Sequence, residues 1–218
     1  MSDDAGCPGL RHEIIVALDA CTDATESIAR DRGCIVASHD RRQISATRNL
    51  GARHARGDVL LFVDADTRVS PGVVRESLDL ITAGCVGGGA LPDFDGALPW
   101  HARVSIGLFR FALGARNKCG GAYLFSTRAA FNQSGGFNET VYAAEELYFI
   151  LALKRIGRFR LTKSRVLTSG RKLRTHSAGE IYGFFLRAML TGPRIVRDRK
   201  HLDLWYGPRR EDPHVPGS

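Results

Sequence analysis

The sequence predicts an α/β fold: a mostly parallel central sheet with helices on both of its faces. Two observations predict it. Short apolar runs alternate along the chain with stretches of helical periodicity, and strands joined through helices run parallel and are covered on both sides. One run, Asp58-Val59-Leu60-Leu61-Phe62-Val63-Asp64-Ala65-Asp66-Thr67, has four consecutive apolar residues, Leu60 to Val63. That is too few for a free-standing helix and suits a fully buried strand. With 218 residues and 44% hydrophobic content, the chain is expected to form one globular domain with a tail.

The elements follow in order. Glu13 to Leu18 is a short apolar strand, and Thr22 and Asp23 supply a turn that can cap a helix over Ala24 to Arg32. Gly33 stops that helix before a strand over Cys34 to Ala37. Ile44 to Ala55 is helical, stopped by Gly57, and feeds the strand that ends at Asp64. Ser70-Pro71 places a cap and a proline at the start of a helix reaching Ala83. Gly84 to Leu91 reads as a glycine-rich strand, Trp100 to Leu113 as a helix, Gly120 to Ser126 as a strand and Arg128 to Ser134 as a short helix. Glu145 to Ile156 is a helix, Phe159 to Leu167 contains strand, and Gly179 to Leu190 is an apolar-rich helix. From Gly192 onward proline, arginine and aspartate accumulate, as in a loosely ordered tail.

The strand ending at Val63 delivers two carboxylates to the sheet edge. Residues two apart on extended backbone point the same way, so Asp64 and Asp66 repel unless a cation lies between them. A hard divalent ion such as Mg²⁺ or Mn²⁺ accepts one or two protein oxygens and takes the rest from phosphates and water. A plain Asp-rich turn is the alternative, since aspartate is favoured in turns. Asp19, at the carboxyl end of the first strand, also lies where open α/β sheets bind ligands.

The surrounding segments choose between these. Ile14-Ile15-Val16-Ala17-Leu18-Asp19-Ala20-Cys21-Thr22-Asp23, then Ser45-Ala46-Thr47-Arg48-Asn49-Leu50-Gly51, then Asp64-Ala65-Asp66, then Gly135-Gly136-Phe137-Asn138-Glu139 and Ala144-Glu145-Glu146-Leu147 occur in this order. The ordered combination resembles the family 2 glycosyltransferases of the GT-A fold, over residues 13–175, with 176–218 as a basic C-terminal helix and tail. The resemblance implies a metal-dependent, inverting transfer of a sugar from a nucleotide-diphosphate donor to an acceptor hydroxyl. It implies Mn²⁺ or Mg²⁺ held mainly by Asp66, with Asp64 contacting ion or sugar, and a nucleotide-sugar site that includes Asp19, Arg48, Asp64 and the basic turn at Arg171. It makes Glu146 the catalytic base, with Glu145 binding acceptor or fixing the loop, and offers His176 as a further metal ligand. Asn49 and Gly51 read as packing and turn devices.

Two departures from the pattern stand out. The family opens with another strand, ending in a Pro-x-x-Asn-Glu loop; here Met1 to His12 contains no apolar run. That strand is expected to be missing, leaving its neighbours' backbone groups unpaired, unless the true start lies upstream or another segment fills the gap. The acidic pair is Glu145-Glu146 where the family has Glu-Asp, and a displacement of ~1 Å in a catalytic group can cost about a hundredfold in rate. A catalytically impaired nucleotide-sugar-binding protein is therefore the alternative reading. A haloacid-dehalogenase-like phosphatase is more remote, because Arg68 stands where that motif wants Thr or Val.

Charge and cysteine content narrow the class further. Residues 1–150 carry a net −3 and residues 151–218 a net +11, an asymmetry suited to meeting polyanions. Zinc-finger spacing and aromatic stacking patterns are lacking, so nucleic acid is not the expected partner. Five cysteines, with no Cys-x-x-Cys, read as reduced thiols. No apolar run reaches the ~18 residues of a membrane span, and Met1 to Gly9 is unlike a signal peptide. The expectation is a cytoplasmic protein. Apolar bulk in Gly179 to Leu190 beside Arg171, Lys172 and Arg174 also allows peripheral contact at the inner face of a membrane, with a lipid-linked or cell-envelope glycan as acceptor. Core packing of that helix is the competing expectation.

Overall fold

The computed structural model describes residues 11–96, 106–107, 119–177, 179–180, 183, 192–199, 202 and 206–207. The helices expected over Trp100 to Leu113 and over Gly179 to Leu190 lie outside these residues, apart from helical Ile106, Gly107, Gly179, Glu180 and Gly183. None of the described helices is long and apolar enough to cross a membrane.

The chain opens with a β–helix–β unit: β1 (Ile15–Asp19), α1 (Thr25–Asp31) and β2 (Ile35–His39), the two strands parallel and in register from Ile15↔Ile35 to Asp19↔His39. Helix α2 (Ile44–His54) then packs on β1 and leads to β3 (Val59–Val63). Two residues, β4 (Thr67–Arg68), pair away from the main sheet before α3 (Pro71–Thr82). Its start is as expected: the Ser70 hydroxyl accepts from the Val73 N–H at 3.4 Å, and Pro71 occupies the first turn, where its missing N–H costs nothing. After β5 (Gly87–Gly89) and β6 (Pro92–Phe94) come β7 (Tyr123–Thr127) and α4 (Arg128–Ser134). Thr127 caps α4 through Ala130, and Gly135 ends it in the left-handed region at φ 77°, a conformation that glycine adopts without strain. Helix α5 (Glu145–Ile156), β8 (Phe159–Leu161), β9 (Val166–Thr168) and α6 (Arg171–Thr175) complete the run. A 3-10 helix, Gly192–Arg197, follows where a loose tail was expected, its Val196 carbonyl accepting from the Tyr142 N–H at 2.7 Å.

The sheet is mixed, which corrects the expectation of mostly parallel strands. The order β3-β7-β5-β8 has β7 antiparallel to both β3 and β5, and only β5–β8 is parallel. A second sheet, β4-β9-β6, is also mixed. Parallel strands follow from β–helix–β crossovers, whereas β7 enters between β3 and β5 running opposite to both. The stretch Phe159 to Leu167, expected to contain strand, holds β8 and the start of β9, which belong to different sheets.

Strand β7 is the spine of the core, buried from Tyr123 to Ser126. On one side Phe62, Phe131, Phe137 and Phe149 form an aromatic cluster with ring centroids 4.3–6.4 Å apart, distances at which such pairs attract. On the other, Val73, Ala90, Tyr123, Phe125 and Val166 pack together. The Tyr123 hydroxyl is satisfied by Ser77 at 2.9 Å. Strand β5 is all glycine because a side chain at Gly88 would collide with the Arg160 carbonyl and the Phe125 ring.

Candidate active site

The site lies at the carboxyl ends of β1 and β3. Asp64 ends β3, held by its N–H to the Ala122 carbonyl at 3.1 Å, and a turn closes when the Thr67 N–H donates to the Asp64 carbonyl at 2.9 Å. That turn exposes Asp66, whose carboxylate accepts a long 3.4 Å contact from the Thr168 hydroxyl on β9. Short β4 pairs Thr67 and Arg68 with β9 directly after this turn, which brings Asp66 beside Thr168.

Arg48, on α2, is the hub beneath them. Its side chain is only 11% exposed and donates to Asp64 at 2.7 Å, to Glu145 at 2.9 Å and to the Gly121 carbonyl at 3.0 Å, while its guanidinium lies 5.2 Å from the Phe137 ring centre. Burial works against its charge, but Asp64 and Glu145 outweigh burial and hold its pKa above the ordinary value. Arg48, expected near the nucleotide pocket, thus bridges two carboxylates, Asp64 and Glu145.

Glu145 and Glu146 open α5 after Ala144, which sits in the left-handed region at φ 60°. Glu145 is buried at 5% exposure, and burial raises its pKa despite the attraction of Arg48. Glu146 is pushed up to about 7, first by burial, then by the charge of Glu145. A carboxyl poised near neutrality can take a proton in the working pH range.

Asp19 is also committed. It accepts from the backbone N–H groups of Arg41, Arg42 and Gln43 at 3.0, 2.6 and 2.6 Å, and from the Thr47 hydroxyl at 2.9 Å, with His39 3.6 Å away. Burial alone would raise its pKa; these donors bring it below the usual carboxylate range. The carboxylate clasps the backbone of Arg41 to Gln43, the turn that leads into α2.

The basic turn precedes and opens α6. Asp95 anchors it, accepting from the Gly170 N–H at 2.8 Å and from the largely buried Arg174 guanidinium at 3.3 Å. Arg171 begins α6, and Lys172 beside it feels the attraction of Asp66 and Asp64, although burial lowers its pKa. His176 turns its Nδ1 to the Lys172 carbonyl and Thr175 hydroxyl at 3.1 and 3.2 Å. Among the described residues no three His, Cys, Asp or Glu groups gather as a metal cluster, so the three-ligand set with His176 does not form.

Sequence reasoning read Asn49 as a packing and turn device without naming its partners, and it missed Gln43 and Tyr206. The Asn49 amide grips the Gly-Gly-Phe turn, donating to Phe137 O at 2.8 Å and accepting from Phe137 N at 2.9 Å, and it reaches Glu139 at 2.9 Å. Gln43 ties the same segment through the Glu139 and Val141 carbonyls at 2.7 and 3.2 Å. Tyr206 donates to the Tyr142 carbonyl at 2.8 Å and carries Arg199 on its ring at 4.9 Å. Motif spacing could have suggested the Asn49 clamp; nothing local marks Tyr206.

Comparison with known proteins bears on this arrangement. The Glycosyl transferase family 2 profile matches residues 4–136. The chain belongs to glycosyltransferase family 2. Solved structures share its GT-A fold. A mannosyltransferase from Pyrobaculum calidifontis, in complex with GDP-Man and Mn²⁺, is 16% identical with a TM-score of 0.59, covering 89% of this chain and 57% of its own. Glucosyl-3-phosphoglycerate synthase from Mycobacterium tuberculosis, in complex with Mn²⁺ and UDP, is 16% identical with a TM-score of 0.54, covering 91% and 70%. TarS of S. aureus, residues 1–349, is 16% identical with a TM-score of 0.52, covering 73% and 52%. The chain thus spans little more than half of two of these proteins. No curated protein matches the sequence.

The donor set of this family 2 domain fits a hard divalent cation. Among the described residues, Asp66 accepts one long contact, from Thr168, and Asp64 uses one oxygen, Oδ1, on Arg48. Two carboxylates of this kind leave coordination positions for diphosphate oxygens and water.

Proposed function

We propose that the protein transfers a sugar from a nucleotide-diphosphate donor to an acceptor hydroxyl, with inversion and with Mn²⁺ or Mg²⁺. The observation that carries this reading is the convergence of an acidic platform, a facing cation and a carboxyl of near-neutral pKa: Asp64 and Asp66, Lys172, and Glu146. Asp66 and Asp64 would hold the ion, which when bound supplies Lewis-acid neutralisation of the leaving diphosphate. Lys172, with Arg171 next to it, adds positive charge where the diphosphate would lie.

The acidic pair divides the remaining work. Adjacent residues on a helix diverge by ~100°, and Glu145 is spent on Arg48, so Glu146 is left to accept the acceptor's proton. Its pKa of about 7 suits that task, and its extra methylene relative to aspartate extends its reach. A base on the acceptor side and a leaving group on the other make a single in-line displacement. The known complexes of fold relatives with UDP or GDP-Man and Mn²⁺ support the choice of donor class.

Calorimetric titration of UDP and GDP, with and without Mn²⁺, tests the binding half. Metal-dependent affinity should disappear in Asp66→Ala; metal-independent affinity unchanged in that variant would sink the assignment. Glu146→Gln should lower turnover far more than donor affinity, and a product retaining the donor's anomeric configuration would rule the mechanism out.

A further inference from the structure

The segment between the Gly-Gly-Phe turn and α5 leads directly into the acidic pair, and two distant parts of the chain hold it. From α2 and its N-cap, Asn49 and Gln43 bind the main chain of Phe137, Glu139 and Val141. Beyond Val141 the grip passes to the C-terminal segment. The Tyr142 N–H donates to the Val196 carbonyl at 2.7 Å, and the Tyr142 carbonyl accepts from the Tyr206 hydroxyl at 2.8 Å. The two tyrosine rings meet edge-on at 6.0 Å, and Arg199 covers the Tyr206 ring at 4.9 Å. This clasp is anchored: Ile195 and Leu202 are buried, and the Tyr206 N–H donates to the Leu202 carbonyl at 3.0 Å.

Tyr206 also reaches the start of α2. Burial raises the pKa of its hydroxyl, and a hydrogen bond from the Ile44 N–H opposes that rise. Ile44 opens α2, where the first amides have no partner within the helix. One hydroxyl thus accepts from the helix that carries Arg48 and donates to the segment ahead of Glu145. Arg199 and Tyr206 line the same cavity as Asp19, Arg48 and Asp64, so the clasp is part of the wall of the site. The need for it lies in Ala144, which sits in the left-handed region at φ 60°. That conformation is unfavourable for a residue with a Cβ and persists where its surroundings over-determine it. Ala144 is also the N-cap of α5, and a methyl group cannot cap a helix. Contacts on either side hold the strained residue: Tyr206 on Tyr142 before it, and Arg48 on Glu145 after it.

We infer that Tyr206 is a positioning residue for the Glu145–Glu146 pair: its hydroxyl, acting through the Tyr142 carbonyl, holds Ala144 in the left-handed turn from which α5 begins. The C-terminal segment is then a working part of the site, although the sequence reads there as a loosely ordered tail. A loosened clasp lets Ala144 relax to a commoner conformation, which swings the first turn of α5 and both carboxylates with it. The consequence for turnover rests on the proposed function; the hold on Ala144 does not.

Amide hydrogen exchange in the 218-residue chain tests the hold without any activity. Leu147 and Tyr148, whose N–H groups donate to the Ala144 carbonyl, report on the start of α5. Tyr206→Phe keeps the ring and removes the hydroxyl. It should speed exchange at Tyr142, Leu147 and Tyr148 about tenfold, as loss of one hydrogen bond does, with Tyr123–Ser126 unchanged. Adding Ala144→Gly, which frees the left-handed turn of strain, should return Leu147 and Tyr148 to within about threefold of the original rate. A tyrosine that merely secured the tail would lose the same protection in either background. Exchange unaltered in Tyr206→Phe, an equal rise across β7, or no recovery with Ala144→Gly would overturn the inference. Turnover is read as hydrolysis of UDP-glucose and GDP-mannose with Mn²⁺, beside calorimetric affinity for UDP and GDP. Tyr206→Phe should lower kcat about tenfold or more at unchanged affinity, and Ala144→Gly should restore part of it. A kcat that is unaltered, or that falls only as affinity falls, would remove Tyr206 from the positioning of the pair. An original chain inactive on both donors would tell against the proposed function, while exchange still decides the hold on Ala144.

Discussion

Replacing Arg48 with methionine should be among the most damaging single changes outside the aromatic core. Methionine keeps the apolar stem that packs near Phe137 but removes the charge between Asp64 and Glu145. Asp64 is half-exposed and can turn to water. Glu145, at 5% exposure, cannot. Breaking a buried pair by removing one partner costs about 3–5 kcal/mol. Glu145 has one escape, protonation, which from its ordinary pKa of 4.5 to pH 7 costs roughly 3 kcal/mol. Protonation therefore caps the electrostatic loss near 3 kcal/mol, to which the orphaned Gly121 carbonyl adds about 1 kcal/mol. Urea unfolding should show a loss of about 3–4 kcal/mol at pH 7, shrinking towards about 1 kcal/mol near pH 4.5, where Glu145 protonates at little cost. Combining Arg48→Met with Glu145→Gln should recover most of the pH 7 loss, since the buried charge is gone from both sides. A pH 7 loss below about 1 kcal/mol, or an equal loss in the Glu145→Gln background, would refute the hub.

Other expectations follow from the same contacts. Glu146 has a folded pKa raised to about 7, so its contribution favours folding below the ordinary glutamate range and is lost as pH rises through about 7; thermal melts between pH 5 and 8 should lose part of their slope in Glu146→Gln. Asp19 has a lowered pKa, so its stabilisation is present above the unfolded value and lost on acidification. Asp19→Asn should cost about 1–3 kcal/mol in urea unfolding and speed amide exchange at Arg41, Arg42 and Gln43. Asn49→Ala removes three hydrogen bonds to Phe137 and Glu139 and should cost about 2–3 kcal/mol, measured the same way with no change in the far-ultraviolet circular dichroism of the folded state.

What was legible in the sequence follows from where the signal resides. Helices α4 and α5 matched their expected limits because Thr127, Gly135, Glu145 and Gly157 are local punctuation. β4 and β6 were not foreseen, since two- and three-residue strands such as Thr67–Arg68 are defined by partners about 70 to 100 positions away. The direction of β7 was hidden for the same reason. Asp64, Asp66, Glu145 and Glu146 could be placed near one another because each sits at an element's end with other motif residues around it. The commitments of Asp19 and Arg48 could not be read. A carboxylate looks the same in sequence whether it meets a ligand or the backbone donors of the turn before the next helix.

The geometry of α2 connects these points. Thr47 and Arg48 are consecutive, and consecutive helical residues diverge by ~100°. One side chain therefore reaches Asp19 on β1 while the next reaches Asp64 on β3. At the other end of the helix, Glu13 grips the Arg56 and Gly57 backbone. Two strands that share no hydrogen bond with each other are in this way fixed at both ends by a single helix. The small residues Gly51 and Ala52 let that helix lie close, Gly51 so near β1 that an added Cβ would stand 3.5 Å from Ala17. The spacing of β1 and β3 is thus set by α2 and its end contacts, not by pairing between the strands. Arg48→Met should then speed amide exchange along Val59–Val63 as a whole, a second signature beside its stability loss. If exchange along β3 were unaltered while stability fell, Arg48 would be a charge partner of Glu145 alone, and the strand spacing would have to be held by Glu13 and Thr47.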